Sequence, residues 1–337
     1  MEDRYGIGER LLRAAIVVGV GLLILGGLAV WLAVIAPSTF KGVALAHLAE
    51  QALIYALPAL GMGLVLIVDE ADLSVAGVAS LAAAVAYRLA FDGLPGATAM
   101  AIALSVGLLV GLLNGALIGL LRLPFYVVTA ATWVLAQALS AAIAGDYVLT
   151  RRWQPWGSLL HPLLVVNLVG LAAGVGVLFI LGRFTSLERL RSLNARLGLQ
   201  GRPGRLSLGL YKLGAYGLSG LLAAGAGLAL LNLLGTFVPG GYGDLTFVAI
   251  AAAVIGGALL WRGSTRLIGA PLGALVIVAI RQVVMRLTLL GRRLFGGPLR
   301  EMLLCALLVL VLAVVWWVAD WLLNRAFGRS KQMPAGQ

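Results

Sequence analysis

Apolar residues occur along the chain in long uncharged runs, which short polar or basic stretches separate. Most of these runs reach the roughly 17–25 residues that an α-helix needs to cross a bilayer core. The pattern predicts an all-α, polytopic membrane protein with about ten transmembrane helices in one domain, residues 1–337. The predicted spans are residues 14–36, 47–68, 73–87, 97–121, 124–145, 160–181, 208–231, 245–261, 267–290 and 302–323.

A charged interruption with Asp69, Glu70 and Asp72 separates the second run from the third. The run that follows, Leu73–Tyr87, has only 15 residues and is too short to cross the bilayer core alone. We therefore predict a broken helix that begins inside the membrane region, with Asp72 or Ser74 capping its free N–H groups. Such backbone is tolerated only where protein buries it or where it lines a wet cavity, and ionisable residues there are functional candidates. The stretch is thus predicted to be the centre of a transport pathway.

A weak internal repeat predicts a second break of the same kind later in the chain. Asp244-Leu245-Thr246 opens the run 245–261, as Asp72-Leu73-Ser74 opens the third run. An odd number of spans, five, separates the two, so the repeats would have opposite orientations in the membrane. Inverted repeats with broken helices at matching positions are typical of transporters. The residues predicted to line the translocation pathway are Asp72, Ser74, Asn114, Thr129, Asp244 and Thr246.

Two features inside the predicted spans concern the packing of helices. Gly107, Gly111 and Gly115 recur every four residues and share one helical face, which predicts close packing against a neighbouring helix. Polar side chains inside the spans have two interpretations, since they either line the pathway or hydrogen-bond a neighbouring helix. The residues to which this applies are Asn114, Thr129 and Gln137.

Composition and charge support a membrane protein. Of the residues, 61% are hydrophobic and 11% are charged, whereas a soluble protein carries about 25% charged residues. With the N-terminus inside, 16 of the 25 Lys and Arg residues fall in cytoplasmic segments and seven fall outside. This distribution predicts cytoplasmic N- and C-termini, with a basic tail at 324–337. The net charge of +12 is therefore assigned to anchoring at membrane lipid, and no nucleic-acid partner is expected.

The longest polar stretch, residues 182–207, is predicted to lie on the cytoplasmic side. It contains six arginines and a single acidic residue, Glu188. Leucines at spacings of three, three and four predict a short amphipathic helix that lies on the surface. By its residues alone, such a helix fits the lipid headgroup region. The leucines are Leu187, Leu190, Leu193 and Leu197.

The sequence lacks the motifs of hydrolytic, redox and nucleotide-binding sites. With a single cysteine, Cys305, it has neither a disulfide pair nor a cysteine metal cluster. We therefore expect no enzyme activity, no cofactor and no metal site in this chain. Uphill transport then needs an ion gradient or a partner, so an ion-coupled secondary carrier that uses Asp69, Glu70 and Asp72 stays an alternative. A membrane scaffold without transport is a third.

A series of short motifs occurs in a fixed order along the chain. They are Asp72-Leu73-Ser74-Val75, residues 111–115, residues 123–129, residues 195–198, residues 217–224 and residues 249–257. The series resembles the permease subunits of ribose-type, ATP-binding-cassette (ABC) sugar importers, with matching order and spacing over roughly Ala46–Leu290. The chain departs from this family at Asp69-Glu70-Ala71, where the family usually has Gly-Gly.

The resemblance implies a permease subunit of the bacterial cytoplasmic (inner) membrane that forms half of the pathway for a monosaccharide or similar small polar solute. Related permeases for nucleosides or amino acids look similar overall. The implied partners are two ABC ATPase subunits, which bind ATP and Mg, a second permease (identical or homologous) and a periplasmic or lipid-anchored sugar-binding protein. The resemblance also implies that residues 186–201 dock on the ATPase as a coupling helix, through Arg189, Leu190, Leu193, Asn194, Arg196 and Leu197.

Overall fold

The computed structural model describes residues 42–66, 69–145, 205–256 and 266–290, together with scattered helical positions between 19 and 34 and between 306 and 318. Within the four continuous ranges the elements are helices, and no strand occurs there. The prediction of an all-α protein is therefore confirmed for the described part of the chain. In order, the helices are α1 (Gly42–Leu66), α2 (Val75–Phe91), α3 (Gly96–Gly119), α4 (Phe125–Ala144), α5 (Arg205–Leu234), α6 (Leu245–Ile255) and α7 (Arg266–Leu290).

Three of these helices are long and apolar enough to cross a membrane: α3, α4 and the Leu208–Leu234 part of α5. Their length and composition indicate a membrane protein. Helices α2 and α6 are shorter, with 17 and 11 residues. The predicted spans at 14–36 and 302–323 are described at scattered positions only. The predicted span at 160–181 and the predicted surface helix within 182–207 lie outside the described residues.

Several predicted helix ends are wrong by a few residues. Helix α2 begins at Val75 and continues to Phe91, so Arg88 occupies its last turn, beyond the predicted end at residue 87. The Arg88 guanidinium pairs with Asp92, four residues on, at 3.0 Å. Such an i,i+4 ion pair adds only about 0.2–0.5 kcal/mol, and Leu89, Ala90 and Phe91 continue the apolar sequence after Arg88. Helix α5 is longer than predicted at both ends, and the run predicted at 245–261 forms a helix up to Ile255.

The chain divides into two compact units, one of residues 49–250 and one of residues 1–48 and 251–337. In the second unit, α7 packs closely on the end of α6, because Gly273 places its backbone against that of Ala252. The candidate site lies entirely within the first unit.

Helix α2 is the centre of the unit 49–250. Twelve of its 17 residues are buried, and it contacts α3, α4 and α5. Its Ala-rich sequence permits this burial, since small side chains let neighbouring helices approach on several faces. Protein therefore encloses the start of the short helix, which is the condition for a helix break at membrane depth.

Helices α3 and α5 pack side by side in opposite directions along the predicted glycine face. A Cβ added at Gly115 would lie 2.6 Å from Cα of Leu213, and one added at Gly107 would lie 2.7 Å from the carbonyl oxygen of Gly220. Gly111, between them, also lies against the α5 backbone. The predicted close-packing face is therefore confirmed, and α5 is the helix that packs on it.

Candidate functional site

The connection between α1 and α2 carries a fully buried carboxylate, that of Asp72. Its Oδ1 accepts hydrogen bonds from the backbone N–H of Ser74 at 2.9 Å and from the Ser74 hydroxyl at 2.6 Å. Its Oδ2 accepts a hydrogen bond from the hydroxyl of Ser219, on α5, at 2.7 Å. Among the described lysines and arginines, none forms an ion pair with Asp72. Short bonds of this kind, to a charged acceptor, are about twice as strong as neutral ones and replace the water that the carboxylate has lost.

The hydrogen bonds continue from Ser74 into two of the candidate membrane-spanning helices. The amide nitrogen of Asn114, on α3, donates to the Ser74 hydroxyl at 3.0 Å. The amide oxygen of Asn114 accepts a hydrogen bond from Thr132, on α4, at 2.6 Å. Asn114 is buried, so its amide joins two helices to the start of α2 without contact with the surroundings.

The start of α6 meets the start of α2. The backbone N–H of Ala76 donates to the hydroxyl oxygen of Thr246 at 2.9 Å, and the same hydroxyl donates to the carbonyl oxygen of Leu73 at 3.3 Å. Ala76 lies in the first turn of α2, where backbone N–H groups have no partner within the helix. Thr246 therefore caps α2 from a position 170 residues away in the sequence. We call this set the helix junction: Asp72, Ser74, Asn114, Thr132, Ser219 and Thr246.

The helix junction lies beside interior positions of all three candidate spans. Ser219 is 11 residues from Leu208, about 16 Å along α5 at 1.5 Å per residue. Thr132 is seven residues from the start of α4, about 10 Å, and Asn114 is five residues from the end of α3, about 8 Å. Since a bilayer core is roughly 30 Å thick, helices that span it carry these three residues inside the apolar region. Asp72 lies beside the same interior positions, because it is bonded to Ser219 directly and to Asn114 through Ser74.

A second polar cluster joins the same connection to α5. Glu70 forms an ion pair with Lys212 at 2.5 Å and accepts a hydrogen bond from the Tyr216 hydroxyl at 3.2 Å. The side chains of Lys212 and Glu70 are 17% and 13% exposed, so the pair is shielded from most solvent. Asp69, directly before Glu70, is exposed. Of the two extra carboxylates in this stretch, one is therefore neutralised inside the chain and the other lies at the surface.

Four of the six predicted pathway residues meet in the helix junction: Asp72, Ser74, Asn114 and Thr246. Thr129 is buried, but its hydroxyl donates to the carbonyl oxygen of Phe125 within its own helix. Asp244 is half-buried at the start of α6, where its carbonyl oxygen accepts from the N–H of Val248. The predicted coupling residues lie outside the described residues, and they are Arg189, Leu190, Leu193, Asn194, Arg196 and Leu197.

The predicted cap of α2 is correct in part. Asp72 accepts from the backbone N–H of Ser74, as an N-terminal cap does. The Ser74 hydroxyl makes no capping bond of its own, because it donates to Asp72 and accepts from Asn114. Thr246 provides the further cap.

Sequence reasoning missed Thr132, Ser219 and the partners of Glu70. The sequence does contain a pattern that marks the residues on α5. Lys212, Tyr216 and Ser219 follow one another at spacings of four and three inside an apolar run. That spacing places all three on one helical face. Lys212 and Glu70 are 142 residues apart in the sequence, so no local pattern pairs them.

The chemistry of the junction is that of a closed hydrogen-bond network. Both Asp72 oxygens are used, and the hydroxyls of Ser74 and Thr246 act as donor and as acceptor at once. Among the described residues, no group of three or more His, Cys, Asp or Glu side chains could hold a metal ion. In this conformation the network holds the starts of α2 and α6 against the candidate spans α3, α4 and α5. Comparison of the chain with protein-family models, with curated proteins and with solved structures finds no match.

Proposed function

We propose that the chain is the transmembrane permease subunit of an ABC importer for a monosaccharide or similar small polar solute. The observation that carries the transport part of this proposal is the meeting of the N-terminal ends of α2 and α6 beside interior positions of three candidate spans. Membrane proteins place broken helices at the bilayer midplane where a solute crosses, because helix ends and polar side chains there replace the water that the solute loses. A purely structural membrane helix has no need for a buried carboxylate at that depth.

The junction also supports the proposed inverted repeat. If α2 and α6 were complete crossings in a ten-span chain with opposite orientations, their first residues would lie on opposite sides of the membrane. The bond between Ala76 and Thr246 is instead what results when at least one of the two helices begins inside the membrane. We infer that Asp72-Leu73-Ser74 and Asp244-Leu245-Thr246 are the corresponding positions of the two repeats, with both termini of the chain on the cytoplasmic side.

ATP-driven coupling is the part of the proposal that rests on the resemblance to ribose-type permeases. In this scheme a separate ATPase binds the segment 186–201, and its closure rocks this chain against a second permease. A sugar-binding protein delivers the solute from the outer side of the bacterial inner membrane, so the selection of the solute is shared with that protein. The chain itself supplies the pathway and needs no cofactor of its own.

Affinity purification from native membranes in mild detergent tests this proposal. An ABC ATPase should co-purify in stoichiometric amounts with the full-length chain, and it should be lost when Arg196→Glu reverses a charge in the coupling segment. Arg292→Glu, in a stretch predicted to face the opposite side of the membrane, is the matched control and should retain the ATPase. If the wild-type chain purifies without any ATPase, the ATP-driven assignment is wrong.

An ion-coupled secondary carrier is the second candidate, and one observation favours it. Asp72 places a buried carboxylate beside the candidate spans, where it bonds to two hydroxyl groups, and a carboxylate is the type of group that proton- and sodium-coupled carriers use. The engagement of Glu70 with Lys212 leaves Asp72 as the candidate coupling residue. Reconstitution of the chain alone in liposomes separates the two candidates: uptake driven by a proton or sodium gradient supports the carrier, and uptake that needs ATP and partners supports the permease.

A further inference from the structure

Helix α4 turns a polar face toward α2 beyond the helix junction. Trp133, Gln137 and Ser140 follow at spacings of four and three, so they share one side of the helix. The Ser140 hydroxyl is 2.9 Å from the hydroxyl of Ser80, on α2. Nearer the junction, α2 comes so close that a Cβ added at Gly77 would lie 2.7 Å from the carbonyl oxygen of Trp133. Gln137 therefore lies between two points at which α2 and α4 touch.

Two polar atoms on this face are buried and have no hydrogen-bond partner among the described residues. They are the indole nitrogen of Trp133, a donor, and the amide oxygen of Gln137, an acceptor. A polar group without a partner inside a membrane costs several kcal/mol. Lipid tails offer nothing to bind, and the opposite side of α4 is apolar, with Val134 64% exposed and Leu139 52% exposed. The described residues therefore leave one donor and one acceptor at this interface for a small polar molecule.

The chemistry of the pair defines that molecule. An O–H group accepts a hydrogen bond from an indole N–H and donates one to an amide oxygen, so hydroxyl groups match both atoms. Water has such a group, and so does each hydroxyl of a sugar. The adjacent Ser140 hydroxyl donates to the carbonyl oxygen of Gln137 at 2.8 Å and accepts from Ser80 at 2.9 Å, so both serine oxygens keep a lone pair for a further donor.

The polar face continues the junction across the membrane. Thr132, a member of the junction, is about 10 Å from the start of α4, and Ser140 is about 22 Å from it. Polar groups thus follow one another over about 12 Å of the roughly 30 Å apolar thickness. One hydrogen bond would be enough to hold α2 and α4 together. A series of polar groups of this length is therefore more than helix packing needs.

We propose that the α2–α4 polar interface, formed by Ser80, Trp133, Gln137 and Ser140, binds a small hydroxylated solute on its way through this subunit. The proposal rests on the transport function proposed above and adds the place in the chain where the solute is held. It also gives Trp133 and Gln137 a direct role, as donor and acceptor to hydroxyl groups of the solute.

Accessibility of single cysteines to a water-soluble thiol reagent tests this interface. Cys305→Ser makes the chain cysteine-free, and Gln137→Cys or Ser140→Cys then places one thiol in the interface. Val134→Cys and Leu139→Cys are matched controls, since they lie within one turn on the apolar side of the same helix. Only the thiolate reacts, and it forms in water and not in hydrocarbon, so methanethiosulfonate ethylammonium should label positions 137 and 140 about tenfold faster or more in membrane vesicles.

A larger reagent distinguishes an interface that admits only water from one that admits a solute. A monosaccharide-bearing methanethiosulfonate should also label position 137 or 140 if the interface admits a solute of that size. Labelling by the small reagent alone means a file of ordered water and overturns the solute site. Equal or faster labelling at 134 and 139 overturns the interface as a whole. If Gln137→Cys fails to reach the membrane, Ser140→Cys carries the same comparison.

The outcome is independent of the ATPase experiment. Labelling of the interface in a chain that binds no ATPase contradicts ATP-driven coupling and supports the interface. Co-purification of an ATPase with a chain that is unlabelled at 137 and 140 contradicts the interface and leaves the coupling in place.

Discussion

Removal of the Asp72 carboxylate is the most direct perturbation of the helix junction. In Asp72→Ala the two donors of Ser74 and the hydroxyl of Ser219 all lose their acceptor. Hydrogen bonds to a charged group contribute about 1.5–3 kcal/mol each, and the relieved burial of the charge offsets part of the sum. We expect the free energy of unfolding to fall by about 3 kcal/mol.

A double-variant experiment tests the hydrogen bond between Asp72 and Ser219 directly. Ser219→Ala removes one of the three hydrogen bonds and should cost about 1.5–3 kcal/mol. The double variant should cost little more than Asp72→Ala alone, because the bond between the two residues is already absent. Their losses should therefore fall short of additivity by about 1.5 kcal/mol or more.

The assay is unfolding of the full-length chain by a denaturing detergent in mixed lipid micelles, followed by far-UV circular dichroism. Asp92→Asn is the control, since it breaks the Arg88–Asp92 pair, in which Asp92 is 45% exposed. Such an exposed pair should change the unfolding free energy by less than about 0.5 kcal/mol. Additive losses for Asp72 and Ser219, or an Asp72→Ala effect no larger than the control, would contradict the network described here.

Two further predictions use the same assay. Gly115→Ala should destabilise the chain by about 1–3 kcal/mol, because its Cβ meets the backbone of Leu213, which only a shift of α3 or α5 relieves. Gly214→Ala, with nothing within 4 Å of its Cβ, should stabilise α5 by up to about 1 kcal/mol, and equal signs for the two variants would refute the packing of these helices. Glu70→Lys and Lys212→Glu should each destabilise, and the exchanged pair should regain more than half of the loss, since these side chains contact each other directly. An exchanged pair that is no more stable than the single variants would rule out a direct charge interaction.

The helices of the described part follow from local properties of the sequence. Long apolar runs predict α3, α4 and the core of α5, because an uncharged segment of that length is stable in hydrocarbon only as a helix. The helix break before α2 follows from three carboxylates within four residues, which cannot continue an apolar span. The glycine face of α3 follows from a spacing of four, which any α-helix converts into one side. The extension of α2 to Phe91 escaped prediction, because hydropathy ends the span before the first charged residue, Arg88, whereas a charged side chain does not end a helix.

The partners of the polar groups were decided by the tertiary structure. The sequence indicates that the first turn of α2 needs a cap, since every helix start has unpaired N–H groups, but several hydroxyls in the chain could supply it. The one that does so is Thr246, and the donor that completes the Asp72 network is Ser219. Both choices depend on which faces of α5 and α6 pack on the connection between α1 and α2. Periodicity assigns a residue to a face of its own helix, whereas contacts over 147 and 170 residues depend on how the helices assemble, and the packing of many side chains sets that arrangement.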